Sequence, residues 1–319
     1  MIRTLLVERV TPVMIGGENA GRFDAPPTLR VPAIRAMLRF WTRAIAGPDF
    51  RATEASLWGS TKTGQGISVL CAQKLPPLPR LQMIIILPNP LHRAVSLDAV
   101  DEGGPPVAVR FRLPDPTLQR QLQAVVWTWL NLGTIGRRAR RGYGSLQWVS
   151  SGRPDDLLEG FSEPQPQPVW ETPADLENHL RAGFAQVQAV FPPMTGGGAP
   201  AVRRTCTWFQ VSTIDQIFVG RLLRGAYHLP GSPLEQELHG MSIASRSTVP
   251  GEPREMGQPK PRLASPMMWR LFRAPGGFIP VMTWSPIGVP QISRTSGMYQ
   301  YLNGKLGFDH SLAGWPLGR

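Results

Sequence analysis

Two amphipathic stripes of helical period, each set between short runs rich in β-branched residues, constrain the first 150 residues more than any other feature of this chain. Residues 2 to 10 read as a strand. From Pro32 onward Ile34, Met37, Leu38, Trp41 and Ile45 recur at the spacing of one buried helical face, and proline suits a first helical turn. Ile67 to Gln73 and Leu81 to Leu87 read as strands, and Val107, Val109, Phe111 and Leu113 alternate with Arg110 and Arg112 in another. Leu118, Leu122, Val125 and Trp129 mark a second helix, and a strand around Leu146 and Trp148 closes near Ser150. Trp41 and Trp129, on the apolar stripes, are core residues rather than stacking platforms. The order strand, helix, strands, helix, strand predicts an α+β, ferredoxin-like β-α-β-β-α-β unit with an extra strand or hairpin between residues 88 and 113. The same topology underlies the RNA recognition motif.

Beyond Ser151 the composition shifts to Pro, Gly, Gln and acidic residues, and Pro164-Gln-Pro-Gln-Pro168 reads as an extended connector. The expected organisation is a first domain over 1–151, a linker over 152–172 and a second domain over 173–319. In the second part Thr172 caps a helix with Pro173 at its first position and Asp175 near its positive end; Leu176, Leu180, Phe184, Val187 and Phe191 form its stripe. Cys206 to Ile214 reads as a strand, Ile217 to Tyr227 as a helix and 229–261 as a loop. Leu263 to Phe272 pairs with Phe278 to Trp284 in a hairpin around Ala274-Pro-Gly-Gly277, and Thr295 to Leu306 reads as a final helix. This half is expected to form a second ferredoxin-like unit, both units carrying long insertions.

Charge narrows the class of partner. Lys+Arg 34 against Asp+Glu 22 leaves +12, and nearly all of it is arginine, since lysine occurs only at 62, 74, 260 and 305. Guanidinium favours bidentate phosphate contacts and stacking over diffuse attraction to lipid headgroups, so nucleic acid is a better partner than a membrane. The charge is also clustered. In Gly133-Thr-Ile-Gly-Arg-Arg-Ala-Arg-Arg-Gly-Tyr-Gly-Ser145, Arg137, Arg138, Arg140 and Arg141 supply planar donors; Gly136, Gly142 and Gly144 admit close backbone approach and φ > 0; Tyr143 offers a face for a base. Around the first helix Arg35, Arg39 and Arg43 repeat at i, i+4, i+8, with Arg30 just before them. Three like charges so spaced face either solvent or an anionic ligand.

Other chemistries find little support. Cys71 and Cys206 are far apart and outside metal-ligand spacing, and His92, His179, His228, His239 and His310 are scattered, so neither a metal nor a cofactor is expected. Leu5-Leu6-Val7 is broken at once by Glu8 and Arg9, and the apolar run Met83 to Leu87 stops at Pro88, so the chain reads as a cytoplasmic protein without a membrane span. Glu54 reads as part of a small packing helix.

Taken in order, Thr11-Pro-Val-Met-Ile-Gly-Gly17, Leu29-Arg-Val-Pro-Ala-Ile-Arg-Ala-Met-Leu-Arg-Phe-Trp-Thr-Arg-Ala44, Leu57-Trp-Gly-Ser60 and the segment ending at Ser145 resemble motifs of the RAMP superfamily of CRISPR effector proteins. The resemblance is strongest to the first-numbered RAMP subunits of type III-B (Cmr) RNA-targeting complexes. It covers roughly the first 150 residues, with a weaker echo at Arg262-Leu-Ala-Ser-Pro266. Departures from the family pattern are Arg35-Ala36 for Lys-Gly, Thr42 for a second Trp and Trp58 for Phe. The resemblance implies two ferredoxin-like domains and a place at the head of a guide-RNA filament. The implied partners are guide RNA, complementary target RNA, other RAMP subunits and the large polymerase/cyclase-like subunit. It adds Gly16 and Gly17 to the RNA-binding candidates, and base pairing rather than the protein would read sequence. Related RAMP proteins carry a cleavage aspartate between the first strand and first helix, where Asp24 stands here; Tyr143 with His92 is a conceivable acid–base pair for guide processing. The expectation is a binding subunit rather than an enzyme, a protein-docking cap being the third alternative.

Overall fold

The computed structural model describes residues 1–13, 29–46, 50–62, 64–71, 80–86, 94–100, 105–136, 142–162, 170–192, 216–224, 267–284 and 311–313. The first half contains β1 (Ile2–Arg9), α1 (Val31–Ile45), α2 (Phe50–Trp58), β2 (Ser68–Cys71), β3 (Arg80–Ile86), β4 (Ala94–Val100), β5 (Val107–Arg112), α3 (Gln119–Leu132) and β6 (Leu146–Val149). Four strands form one sheet in the order β2-β5-β1-β6, every neighbour antiparallel. Thus β1 and β2, joined through α1 and α2, run the same way with β5 between them; β5 and β6, joined through α3, run the same way around β1. The strand at 81–87 belongs instead to a separate hairpin: among the described residues β3 pairs only with β4, which is the extra element expected between 88 and 113.

Alternation explains why this sheet has one dry face. Leu5, Val7, Val109, Phe111 and Val69 point to the core, where they meet Ile34, Leu38, Trp41 and Ile45 of α1 and Leu122, Val125 and Trp129 of α3. The stripe read in α1 is the buried one. In α3, by contrast, every residue from Leu122 to Leu132 is buried, because the helix is covered on its far side by the second half of the chain. Gly133 ends α3, its N–H bonded to the Trp129 carbonyl, at a point where a Cβ would stand 2.4 Å from Nε1 of Trp41.

The described part of 151–172 is packed. Asp155 and Leu157 hydrogen-bond the backbone of Thr4, Leu157, Leu158 and Phe161 are buried, and the Asp156 carboxylate accepts from Trp148 Nε1, Ser151 and the Leu158 N–H. Pro164 to Pro168 lie outside the described residues. Next comes α4 (Pro173–Val190), opened by the expected proline and by a full capping box between Thr172 and Asp175, worth about 1 kcal/mol.

The second sheet is built from β7 (Gln216–Val219), β8 (Leu223–Arg224), β9 (Met267–Ala274), β10 (Gly277–Trp284) and β11 (Ser311–Ala313). The expected hairpin is β9–β10. On its other edge β10 pairs with β7 and then β8, and β11 lies outside β7. The helix expected over Ile217 to Tyr227 is corrected where it is described: Ile217-Phe218-Val219 is a strand paired with Val281 to Thr283, and Gly220 N–H bonds the Pro280 carbonyl. A short apolar run is ambiguous in period, and tertiary hydrogen bonding decided it. The expected strand at Cys206–Ile214 and helix at Thr295–Leu306 lie outside the described residues. One apolar core runs from β1, α1 and α3 through α4 into β7, β9 and β10. No described helix is long and apolar enough to cross a membrane.

Candidate nucleic-acid interface

The arginine–glycine segment is anchored at both described ends. Gly136, Gly142 and Gly144 have φ of 93°, 80° and 75°, the positive values anticipated for them, and a Cβ at Gly144 would lie 1.9 Å from the Ile135 carbonyl oxygen. Thr11, at the exit of β1, ties the segment down: its hydroxyl donates to the Gly142 carbonyl at 2.8 Å and accepts from the Ser145 N–H at 2.9 Å. Ser145 Oγ donates to the same Gly142 carbonyl at 3.0 Å, Gly144 N–H bonds the Pro12 carbonyl at 2.9 Å, and Ile135 N–H bonds the Gly144 carbonyl at 2.9 Å. The Thr11-Pro12 entrance to the first glycine motif and the flanks of the second are therefore one hydrogen-bonded unit. Arg137, Arg138, Arg140, Arg141, Gly16, Gly17 and Asp24 lie outside the described residues; Tyr143 is half-buried.

The arginine stripe of α1 divides in two. Arg30 is exposed and Arg35 half-buried. Arg39 and Arg43, in contrast, converge on Glu54 of α2: Arg39 Nη1 reaches Oε1 at 2.7 Å, and Arg43 donates to Oε2 at 2.6 Å and Oε1 at 2.7 Å. Arg39 also donates to the Trp58 and Gly59 carbonyls at 3.3 Å. These two guanidiniums clasp α2 to α1, and one carboxylate offsets half their charge. Reading α2 as a packing helix was right, but its carboxylate went unrecognised as the partner of the stripe, because a contact 11 and 15 residues away leaves no periodic trace.

Burial pushes the Glu54 carboxyl up, but the hydrogen bonds and charges of Arg43 and Arg39 outweigh that and leave it below its ordinary value. A depressed carboxyl contributes stability that is complete above its unfolded pKa of ~4.3 and disappears as pH falls through the folded value. Glu54→Gln is expected to cost about 2 kcal/mol at pH 7, since it strips two part-buried cations of their counter-charge. It should also remove part of the acid loss below ~pH 4.3, read from urea titrations across that range.

Two departures from the family pattern touch each other. Trp58 Nε1 donates to Thr42 Oγ1 at 2.8 Å, and that hydroxyl donates in turn to the Leu38 carbonyl at 2.8 Å. Thr42 and Trp58 are thus joined inside the α1–α2 packing by one hydrogen bond.

The second half supplies contacts that no motif announced. Arg270 of β9 is buried; its guanidinium donates to the Gly133 carbonyl at 3.2 Å and to the Leu146 carbonyl, and lies over the Phe272 ring at 4.2 Å. Leu271 N–H donates to Ser145 Oγ at 3.1 Å, and Arg273 donates to the Arg9 carbonyl at 3.3 Å. The one signal available was a lone arginine inside the apolar run Met267-Met-Trp-Arg-Leu-Phe272.

Residues 6–147 match the sequence model of the RAMP superfamily. The CRISPR system Cmr subunit Cmr1-1 of Pyrococcus furiosus is 27% identical over 150 residues, covering 42% of this chain and 44% of that protein, so the match spans less than half the length of the curated relative. The apo crystal structure of Cmr1 from Pyrococcus furiosus superposes with a TM-score of 0.61 at 14% identity, covering 96% of this chain and 97% of that one. A chain in the cryo-EM structure of the type III-B Cmr-beta bound to cognate target RNA gives 0.50 at 10% identity, covering 89% and 94%. Identities this low speak to fold, whereas the RAMP match lies on the segment that holds Thr11, the α1 arginines and the whole glycine motif. The chain carries a RAMP-superfamily domain over residues 6–147 and shares its fold with Cmr1.

Proposed function

We propose that this chain is an RNA-binding subunit of a type III-B CRISPR ribonucleoprotein effector, working in the cytoplasm in antiviral defence. In this reading it engages guide RNA and complementary target RNA at the head of the filament, beside other RAMP subunits and the large polymerase/cyclase-like subunit. The observation that carries it is the clasp of Thr11 and Ser145 on the Gly142 carbonyl, which brings the ends of both glycine motifs to one edge of the first sheet. Four guanidiniums leave the chain between Gly136 and Gly142, backbone positions with positive φ, where phosphate can approach closely. Arg30 and Arg35 belong to the same proposed set of RNA contacts, with Tyr143 next to Gly142 and with Gly16 and Gly17 following Pro12 along the chain. Arg39 and Arg43 contribute chiefly through the α1–α2 clasp. The role is one of binding, with the Thr11 and Ser145 hydroxyls committed to structural hydrogen bonds. Two ferredoxin-like units over 1–151 and 173–319, joined by 152–172, fit the strand order of the first sheet and the β9–β10 hairpin of the second.

Reversing Arg137 and Arg138 to Glu tests the proposal. RNA affinity of the isolated protein is expected to fall by roughly 100-fold at physiological salt, and the slope of log K against log salt to flatten by about two phosphate contacts. Unchanged binding would sink it and favour protein docking. One observation already gives docking a footing. The exposed large apolar side chains among the described residues are Met1, Ile2 and Leu70, with Ile2 at the start of the interior strand β1 opposite Arg112 and Leu70 on the edge strand β2 opposite Arg110.

A further inference from the structure

We propose that the outward face of the first sheet is a separate contact for single-stranded RNA, with Arg110 and Arg112 of β5 on phosphates and Ile2 and Leu70 beside them against bases. RNA as the ligand class is taken from the reading above; the surface itself is independent of the arginine–glycine segment. Alternation along the strands builds this face. With Leu5, Val7, Val109 and Phe111 in the core, Ile2, Thr4 and Leu6 of β1 and Ala108, Arg110 and Arg112 of β5 turn to the other side. Antiparallel register then sets Arg110 between Thr4 and Leu70 of β2, and Arg112 between Ile2 and Ser68 of β2. Both arginines are exposed, as are Ile2 and Leu70.

Charge tells what such a face can hold. Arg3, Arg39, Arg43, Arg181 and Arg270 are each bonded to side chains or carbonyls of the fold. Arg110 and Arg112 have no hydrogen bond or ion pair among the described residues. Two residues apart on one strand, they stand roughly 7 Å from each other and repel, and an anionic chain lying across both removes that repulsion. Negative charge lies to the other side: the Asp155 carboxylate accepts from the Thr4 hydroxyl at 2.7 Å, and Glu8 is opposite Gln147 of β6. An anion is thereby directed to the β5–β2 side of the face. A protein neighbour covering Ile2 and Leu70 would have to bury two cations, a cost that outweighs the apolar contact unless it brings carboxylates. A single RNA strand brings phosphates and base faces together. The outward positions of these strands carry no aromatic ring among the described residues, so bases meet guanidinium planes and the Ile2 and Leu70 side chains instead.

The test uses the full chain. Arg110→Gln combined with Arg112→Gln is compared with the wild type and with Arg51→Gln combined with Arg224→Gln, two exposed arginines of α2 and β8 whose loss changes the net charge equally. The urea midpoint of each protein is measured first and should stay where it is, since every replacement is at an exposed position. The probe is a fluorescein-labelled oligouridine, followed by anisotropy at several salt concentrations. The β5 pair is expected to lower affinity about tenfold at physiological salt and to flatten the slope of log K against log salt by about 1.4, two single-strand phosphate contacts. The control pair should change both much less. Equal losses in the two pairs would reduce the effect to net charge and overturn the proposal. Unchanged affinity and slope in the β5 pair would overturn it too and leave the face to a protein neighbour. Should the double variant not fold, either single replacement decides, at half the change in slope. The two readings fail separately. Binding abolished by reversal of Arg137 and Arg138 but indifferent to the β5 pair removes the sheet face alone; the converse result keeps the sheet face and removes the arginine–glycine segment as the RNA contact.

Discussion

Gly183→Val should lower stability by more than about 3 kcal/mol and reduce the urea midpoint accordingly. Local propensity argues the other way: a glycine inside a helix costs about 1 kcal/mol relative to alanine, so substitution in α4 ought to help. Packing overrides it. A Cβ on Gly183 would lie 1.8 Å from Cζ2 of Trp127, 2.3 Å from Cε2 and 2.6 Å from Cη2. The indole cannot retreat, because it is buried in α3 with Phe184 edge-on at 5.3 Å and His179 at 5.9 Å. Relief therefore requires α4 to lift from α3, which opens the core shared by both halves. Gly183→Ala should lose less but still lose. Ala182→Val, one residue away on the exposed face, should change stability by no more than about 0.5 kcal/mol, and an equal loss there would remove the contact as the cause.

What the sequence revealed depended on whether a segment's partners were near it. The faces of α1 and α4 follow from period and caps that lie within each helix, and the β9–β10 hairpin from two strands about one Ala-Pro-Gly-Gly turn. Opposite cases are equally specific. The run at 217–219 is too short to declare a period, and it became a strand because β10 offered it a ladder. In α3 the stripe was legible, but the uncharged opposite face, Ala124, Trp127 and Asn131 included, was the unread sign of a helix covered on both sides.

The candidate site divides in the same way. Positive φ at Gly136, Gly142 and Gly144 is a conformation that their residue type admits. That Thr11 and Ser145 would share the Gly142 carbonyl is not legible from residue type, since they meet across 134 residues of chain. The arginine stripe was visible as charge, yet charge says nothing about who neutralises it. Glu54 is the ion-pair partner of Arg39 and Arg43, and Arg270 sets a buried charge against carbonyls of the first half. Each is a long-range pairing of one charged residue with polar groups, the kind of contact that periodicity does not encode.

The same junction should make the protein sensitive to mild acid. His179 lies between Trp170, 4.8 Å away, and Trp127; its Nε2 is out of reach of solvent and has no hydrogen-bond partner. Burial, and secondarily the positive charge of Arg270, push its pKa from 6.5 down to about 4. Between those values the unfolded chain binds a proton at this site that the folded chain does not, so stability rises with pH across the interval, is complete above ~6.5 and is lost as pH falls towards the folded value. The loss amounts to at most about 3 kcal/mol, on a scale of 1.36 kcal/mol per unit, and it precedes the titration of Glu54 below ~4.3. Unfolding free energy measured between pH 7 and 4.5 should therefore decline in the wild type. In His179→Phe, which keeps an aromatic ring between the two tryptophans and removes the titrating nitrogen, the same curve should be nearly flat. A parallel decline in both proteins would place the acid-sensitive group elsewhere.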